Sequence, residues 1–302
     1  MHKKIYNQAK FTFNIVPVTP LLIKSGQEGA DPTRPSMEFI RSNNQVFIPG
    51  SSIKGVFRSY SEKILKTLGK RCCDIFDDKA EENISCSVYL DKKLGLKPNQ
   101  GDKIYKNCCY ACRTFGCLEI SSHTTFIDAR PVKDPKIEER PGVAIDRILG
   151  SAKRGALYSL EVVTSGIFKT EIFMKNFQLW QLGLIGLALR DLDDGYVQIG
   201  FAKSRGLGRV NIEGLTIDLI YYQKPSNGTL KGIGSLCNDD ERTSYDFLKK
   251  DEVNLASIKP VEDGLRWKYT FSSADETDTL FNSVISEPWK HFIEAGGKVN
   301  ER

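Results

Sequence analysis

The stretch Phe47-Ile-Pro-Gly-Ser-Ser-Ile-Lys-Gly-Val-Phe-Arg58 constrains this chain more than any other. It reads as a strand end, a tight turn and a helix start. Ser51 or Ser52 is placed to cap the helix by accepting a hydrogen bond from an early backbone N–H. Ile53, Val56, Phe57, Tyr60, Ile64, Leu65 and Leu68 recur with helical period, so one stripe is buried, and Gly69 marks the stop. Two residues work against stability. Lys54 sits in the first turn, where the helix dipole disfavours a cation. Gly55 beside it costs about 1 kcal/mol relative to alanine in a helix interior. Open N–H groups, an early lysine, a glycine that lets another backbone approach and Arg58 one turn on would together seat a phosphate. The alternative is a surface helix with solvated Lys54 and Arg58.

A chain of 302 residues can build one large or two modest domains. Its 40% hydrophobic and 27% charged residues are those of a soluble globular protein. No run of 18 apolar residues and no charged-then-apolar leader is present, so the expectation is a cytoplasmic protein with no membrane span. Lysine and arginine exceed the acids by 43 to 38, and the formal charge is +5, which permits a nucleic-acid partner without demanding one.

Phe11, Phe13 and Ile15 alternate along residues 10–18, the pattern of a half-buried strand. A polar loop at 24–35, with two glycines and two prolines, carries only Glu28 and Asp31 as acids. Residues 37–40 and 45–48 read as a hairpin around Ser42-Asn43-Asn44. Residues 70–118 read as irregular and hold seven of the eight cysteines. Cys109-Tyr-Ala-Cys112 is a C-x-x-C knuckle whose two sulfurs can face one tetrahedral ion, with Cys86 and Cys117, or Cys73, completing a structural zinc site. Free, partly buried thiols are the alternative. A redox C-x-x-C is disfavoured, because no strand and helix start frame the motif.

Residues 119–132 read as a strand. Residues 131–155, dense in charge and proline, read as a projecting hairpin whose tip residues Ile145, Ile148 and Leu149 would be exposed unless they meet a partner. Residues 156–163 and 167–174 give the clearest hairpin pattern in the chain. Asn176 is positioned to cap a deeply packed helix that runs to about residue 191. Gly200-Phe-Ala-Lys-Ser-Arg-Gly-Leu-Gly-Arg209 then interleaves glycines with Lys203, Arg205 and Arg209 ahead of a strand at 210–212. That combination suggests a backbone nest with cations for an anionic polymer, the alternative being a tight basic turn. Beyond residue 221 the reading is a linker, a charged bend at 238–242, a strand at 265–271 and helical stretches at 245–250 and 279–295, the last broken at Pro288. That segment shows no chemistry and no internal repeat.

Four motifs in one order, Ile48–Arg58, Cys109–Gly116, Asp146-Arg147 with Gly155–Tyr158, and Gly200–Arg209, resemble the RAMP superfamily. Within it they resemble the backbone subunits of type III CRISPR RNA-guided effector complexes. The resemblance covers roughly residues 10–215. It implies an α+β fold with a modified RRM-like (ferredoxin-like) core over residues 1–220, insertions at 70–118 (zinc) and 131–155 (a β-hairpin thumb), and an extension over 221–302. It implies guide-RNA contacts at Ser51, Ser52, Lys54, Arg58, Lys203, Ser204, Arg205, Gly206 and Arg209, with Arg147 and Lys153 contacting RNA from the thumb. The partners implied are guide RNA, complementary target RNA and neighbouring subunits. In cleaving members the loop after the first strand holds a catalytic aspartate, here Asp31, acting on a 2′-hydroxyl with magnesium or another divalent ion. Two other readings stand beside it: an architectural subunit without chemistry, and a stand-alone endonuclease that processes guide RNA. Against the latter, His2, His123 and His291 are scattered.

Overall fold

A computed structural model describes residues 4–26, 35–76, 84–226, 228–255 and 258–295. Strand β1 (Asn7–Pro17) forms where the alternation predicts, with Phe11, Phe13 and Ile15 fully buried. Two short strands, β2 (Arg41–Ser42) and β3 (Gln45–Val46), follow. Their hairpin exists, but Asn43 and Asn44, both at positive φ, make a two-residue turn and shift the ladder off the expected residues.

Helix α1 (Gly50–Thr67) is the long helix of the opening motif, but neither serine caps it. Pro49 takes the cap position, Ser51 and Ser52 lie inside the first turn, and the Gly50 N–H donates to Asp128 Oδ1 at 2.8 Å. The cap comes from a residue 78 positions away, which is why the local sequence misassigns it. Gly50 admits no side chain, because a Cβ there would lie 2.2 Å from the Phe126 carbonyl oxygen.

Residues 70–118 are more regular than expected. They carry α2 (Cys86–Val88), a π turn at Tyr89–Lys93, α3 (Gly101–Asn107) and α4 (Tyr110–Phe115). The strand expected at 119–132 is two short pieces, β4 (Thr124–Phe126) and β5 (Arg130–Pro131), both paired with a later strand.

The projecting hairpin is present and longer than expected. Strands β6 (Lys136–Ile145) and β7 (Ala152–Ser165) pair from Lys136–Ser165 outward to Ile145–Ala152. Pairing of residues 156–163 with 167–174 is therefore overturned. β7 pairs with β6, whereas β8 (Phe168–Lys175) lies in the main sheet beside β1 and β4. The alternation in β7 is real, since Leu160, Val162 and Val163 are buried, but it reports a buried face and says nothing of the partner strand.

Helix α5 (Leu179–Asp193) is buried on almost all sides. Asn176 does not cap it. Its side chain accepts from the Tyr6 N–H and donates to the Lys4 carbonyl, tying down the segment before β1. Strand β9 (Val210–Tyr221) returns along β1. Beyond it come β10 (Thr229–Lys231), α6 (Ile233–Leu236), α7 (Asp239–Tyr245), β11 (Glu252–Asn254), β12 (Val261–Asp263), β13 (Arg266–Phe271) and α8 (Ala274–Ala295). The charged bend at 238–242 proves to be the start of α7, capped by the Asn238 side chain on the Glu241 N–H. Pro288 does not break α8.

The main sheet is antiparallel, in the order β12-β13-β9-β1-β8-β4 with β5 also on β8. The core fills the side of the sheet on which α1, α5 and α8 pack. The fold is mixed α+β.

Candidate nucleic-acid interface and candidate metal centre

The two motifs separated by about 150 residues meet in space. The glycine segment is strapped to the chain just after β1. Gly208 N–H donates to the Pro20 carbonyl, Phe201 N–H to the Leu22 carbonyl and Ile199 N–H to the Gly208 carbonyl, at 2.8–2.9 Å. These close approaches are what the glycines are for. A Cβ on Gly200 would lie 2.4 Å from the Leu22 carbonyl oxygen, and one on Gly208 2.0 Å from that of Ile199. Lys203–Arg205 then form one 3-10 turn between Ala202 and Gly206, both left-handed.

Across from this segment stands α1, and between them is a cleft of about 580 Å³. Ser52, Gly55, Ser59 and Lys63 line it from α1, and Gly200, Phe201 and Lys203 from the segment, with Lys24 and Tyr196 beside them. Lys24, Lys63 and Lys203 bring positive charge, and no carboxylate is among the described lining residues. Among the described residues, the carboxylate hydrogen-bonded to a lining side chain is Asp191, which accepts from the Tyr60 hydroxyl at 2.5 Å. Desolvation, then the charge of Lys63, hold the Lys203 amine below the ordinary lysine range. Among the described residues this cluster of cations has no counter-charge in the cleft lining, and such a cluster is a receptor for an anion.

The other expected contacts divide into three groups. Around the cleft, Arg205 donates to the Tyr158 hydroxyl at 2.9 Å and lies 5.2 Å from the Phe201 ring centre, which Lys24 approaches from 5.1 Å. Tyr158 belongs to β7, so the segment and the hairpin are tied together here. Ser204 and Gly206 are exposed in the same turn. Arg209 is exposed beside Gly195, while its carbonyl accepts from Val18 and Thr19. Ser51 is exposed on α1, and Lys54 is half-buried, its amine lowered by burial and then by Arg58; neither lines the cleft. On the hairpin, Arg147 and Lys153 are exposed at the tip end. Ile148 and Leu149 there are 93% and 77% exposed.

Arg58, expected with the phosphate contacts, points elsewhere. Its Nε donates to Glu62, its Nη1 to the Gly116 carbonyl and its Nη2 to Cys112 Sγ at 3.3 Å, so the guanidinium is turned into the cysteine module. Asp31 falls at residues 27–34, outside the described residues. The flanks of that loop are joined, Lys24 pairing with Phe39 and the Ser25 N–H donating to the Glu38 carbonyl. Lys24, Lys63, Tyr196 and Phe201 escaped the sequence reading. Ser52, Gly55, Ser59 and Lys63 do recur at helical spacing, so a polar stripe on α1 was the signal for Lys63.

Cys73, Cys86, Cys109 and Cys112 are buried, with their sulfurs all within 4.8 Å of one another. Cys73 Sγ lies 3.6 Å from both Cys109 Sγ and Cys112 Sγ. A zinc–sulfur bond of about 2.3 Å implies tetrahedral edges of about 3.8 Å, so these four thiols fit a structural zinc ion. The expected set named Cys117 in place of Cys73. Cys117 stands outside this group, and its Sγ donates to Glu119 Oε2 at 3.4 Å. The C-x-x-C does open a helix, contrary to expectation: Cys109 caps α4 and its sulfur accepts from the Cys112 N–H.

Among the described residues no helix is long and apolar enough to cross a membrane. No curated protein sequence matches the chain at a significant level. A sequence model of the RAMP superfamily does match, over residues 14–211, from β1 through the glycine segment into β9. The chain belongs to the RAMP superfamily, whose members are CRISPR-associated RNA-binding proteins.

Proposed function

We propose that this protein is a guide-RNA-binding backbone subunit of a type III CRISPR effector complex. The supporting observation is the cleft between α1 and the glycine segment, with three lysines and no carboxylate among its described lining residues. The core is then RRM-like. Its order β9-β1-β8-β4, with α1 between β1 and β4 in sequence and α5 between β8 and β9, supports that reading. The guide backbone lies in the cleft. The hairpin, with its exposed apolar tip, reaches the guide–target duplex, and the complementary RNA and the adjoining subunits cover that tip.

Cleavage of the target is assigned to Asp31, as general base toward a 2′-hydroxyl. Its loop departs from Lys24, which lines the cleft, and returns to Phe39, which pairs with Lys24. Magnesium or another divalent ion would neutralise charge on the scissile phosphate. Glu28 and Asp31 are the acids of residues 24–35, and the described cleft lining adds no further carboxylate.

The test is Asp31→Ala, assembled with guide RNA and complementary target. Loss of the cut at this subunit's position, with target binding retained, is the expected result. Cutting that persists there removes Asp31 from the chemistry and leaves the architectural reading. Site-specific cutting of precursor guide RNA by the isolated chain would replace both with the processing reading.

A further inference from the structure

Tyr60, Phe201 and Tyr196 bring aromatic rings to the cleft between α1 and the glycine segment, and two of these are already engaged. The Tyr60 hydroxyl donates to Asp191, and its ring is half-buried on α1. Phe201 is half-buried too, with Lys24 and Arg205 at 5.1 and 5.2 Å from its ring centre. Tyr196 is different. It is 81% exposed, and among the described residues no hydrogen bond, ring or cation engages its side chain.

The ring is open, but the backbone beneath it is fixed. The Gly195 N–H donates to the Leu192 carbonyl at 3.3 Å and the Val197 N–H to the Asp191 carbonyl at 3.0 Å, so both neighbours of Tyr196 are tied to the end of α5. Arg209 stands close by, since a Cβ on Gly195 would lie 2.8 Å from its Nε. Lys24, Lys63 and Lys203 share the cleft with the ring, and so do the uncharged polar side chains of Ser52, Ser59 and Gln198. At about 580 Å³ the cleft is of the size that takes a small organic group, roughly 300–1,000 Å³, and not a bare phosphate alone. An open aromatic face beside cations is how single-stranded nucleic acid is held: the cations follow the backbone, and the ring takes the face of a base of any identity.

Resting on the reading of this cleft as the seat of guide RNA, we propose that Tyr196 is a stacking platform for one base of the strand whose phosphates lie on Lys63 and Lys203. Only a base with a free face can take the ring, so the nucleotide held here is unstacked from one of its neighbours. The contact adds affinity without sequence preference, because every base offers a π face. It also adds no charge, so it leaves the salt dependence of binding to the lysines.

Filter binding of the full-length protein to single-stranded RNA, and to a strand of the same length made without bases, tests this. A ring so exposed can be removed without unfolding the chain. Tyr196→Ala should weaken binding to RNA about 5- to 150-fold, the effect of one lost base–aromatic stack, at an unchanged salt slope. Tyr196→Phe, which keeps the ring, should bind as the wild type does. On the baseless strand, wild type and Tyr196→Ala should bind alike. The stack is overturned if Tyr196→Ala binds RNA as tightly as the wild type, if it loses as much on the baseless strand, or if Tyr196→Phe loses as much as Tyr196→Ala. Loss of self-association with RNA affinity intact would also overturn it, by assigning the ring to a protein neighbour. Lys63→Ala and Lys203→Ala, measured alongside, separate the two readings. Slopes that flatten there while Tyr196→Ala changes nothing leave the cleft standing without the stack; slopes that stay unchanged remove the cleft reading itself.

Discussion

Lys63, Lys203 and Arg58 show how little a residue's charge says about its task. All three are cations, two of them on the same helix, yet Lys63 lines the cleft with Lys203 while Arg58 turns into the cysteine module. Lys203→Ala and Lys63→Ala should each weaken RNA binding without regard to sequence. Each should also flatten the plot of log affinity against log salt by about 0.7, as expected for one phosphate contact on a single strand. Filter binding across a salt series reads this, and an unchanged slope removes the residue from the interface. Arg58→Ala should leave that slope alone and lower zinc affinity roughly 10- to 100-fold, the effect of losing a group that orients metal ligands. Competition with a chromogenic chelator measures it. The sequence placed a lysine and an arginine on α1 but could not say which faced the cleft, since that depends on where Cys112 and Gly200 arrive from elsewhere in the chain.

At the scale of single elements, legibility followed the range of the interactions. β1 could be read because its alternation is answered along its whole length by Phe11, Phe13 and Ile15 in the core. α1 could be read for the same reason, yet its cap could not, because Asp128 supplies it. The partner of β7 was beyond reach, since either neighbour in sequence satisfies the same pattern. α5 offers the sharpest case. Its first turn is held by Asp251, fully buried, whose oxygens accept from the Leu179 N–H at 2.8 Å and the Gly234 N–H at 2.9 Å. Nothing near Asp251 in sequence marks it. Burial pushes its carboxyl up to about 7, against these two hydrogen bonds. An unfolded aspartate titrates near 3.9, so through that window the native chain keeps a proton the unfolded chain has lost. The resulting stabilisation is complete at acid pH and is lost as pH rises through 7. Asp251→Asn should abolish this component, so that thermal melts from pH 5 to pH 8 fall less for the variant than for the wild type. Parallel curves would show that Asp251 does not titrate there.

Over the whole molecule, the hairpin and the C-terminal segment make opposite contributions. The tip of the hairpin touches nothing that holds the core: Ile148, Leu149 and Leu157 are each at least 77% exposed. Replacing residues 144–154 by a tight turn should leave the melting temperature within about 2 °C of the parent, as surface changes do, while disturbing pairing of guide and target in the assembled complex. A large drop in melting temperature would show that the tip packs. The C-terminal segment is the reverse. β13 pairs with β9 and carries the sheet outward, and α8 lies in a groove on α5 made by Gly183 and Gly186. A side chain at either glycine would collide with Trp289 or Phe281, and the Trp180 and Phe292 rings stack at 4.3 Å.

That groove has a bearing on how the protein can be divided. The stretch shared with its relatives ends at residue 211, which invites a fusion or a split after β9. A piece ending there would keep every loop that faces the cleft and lose the aspartate, the tryptophan and the helix that finish α5. Inheritance of the binding motifs and the ability to fold unaided part company inside this chain, and a portable version would have to run on through α8.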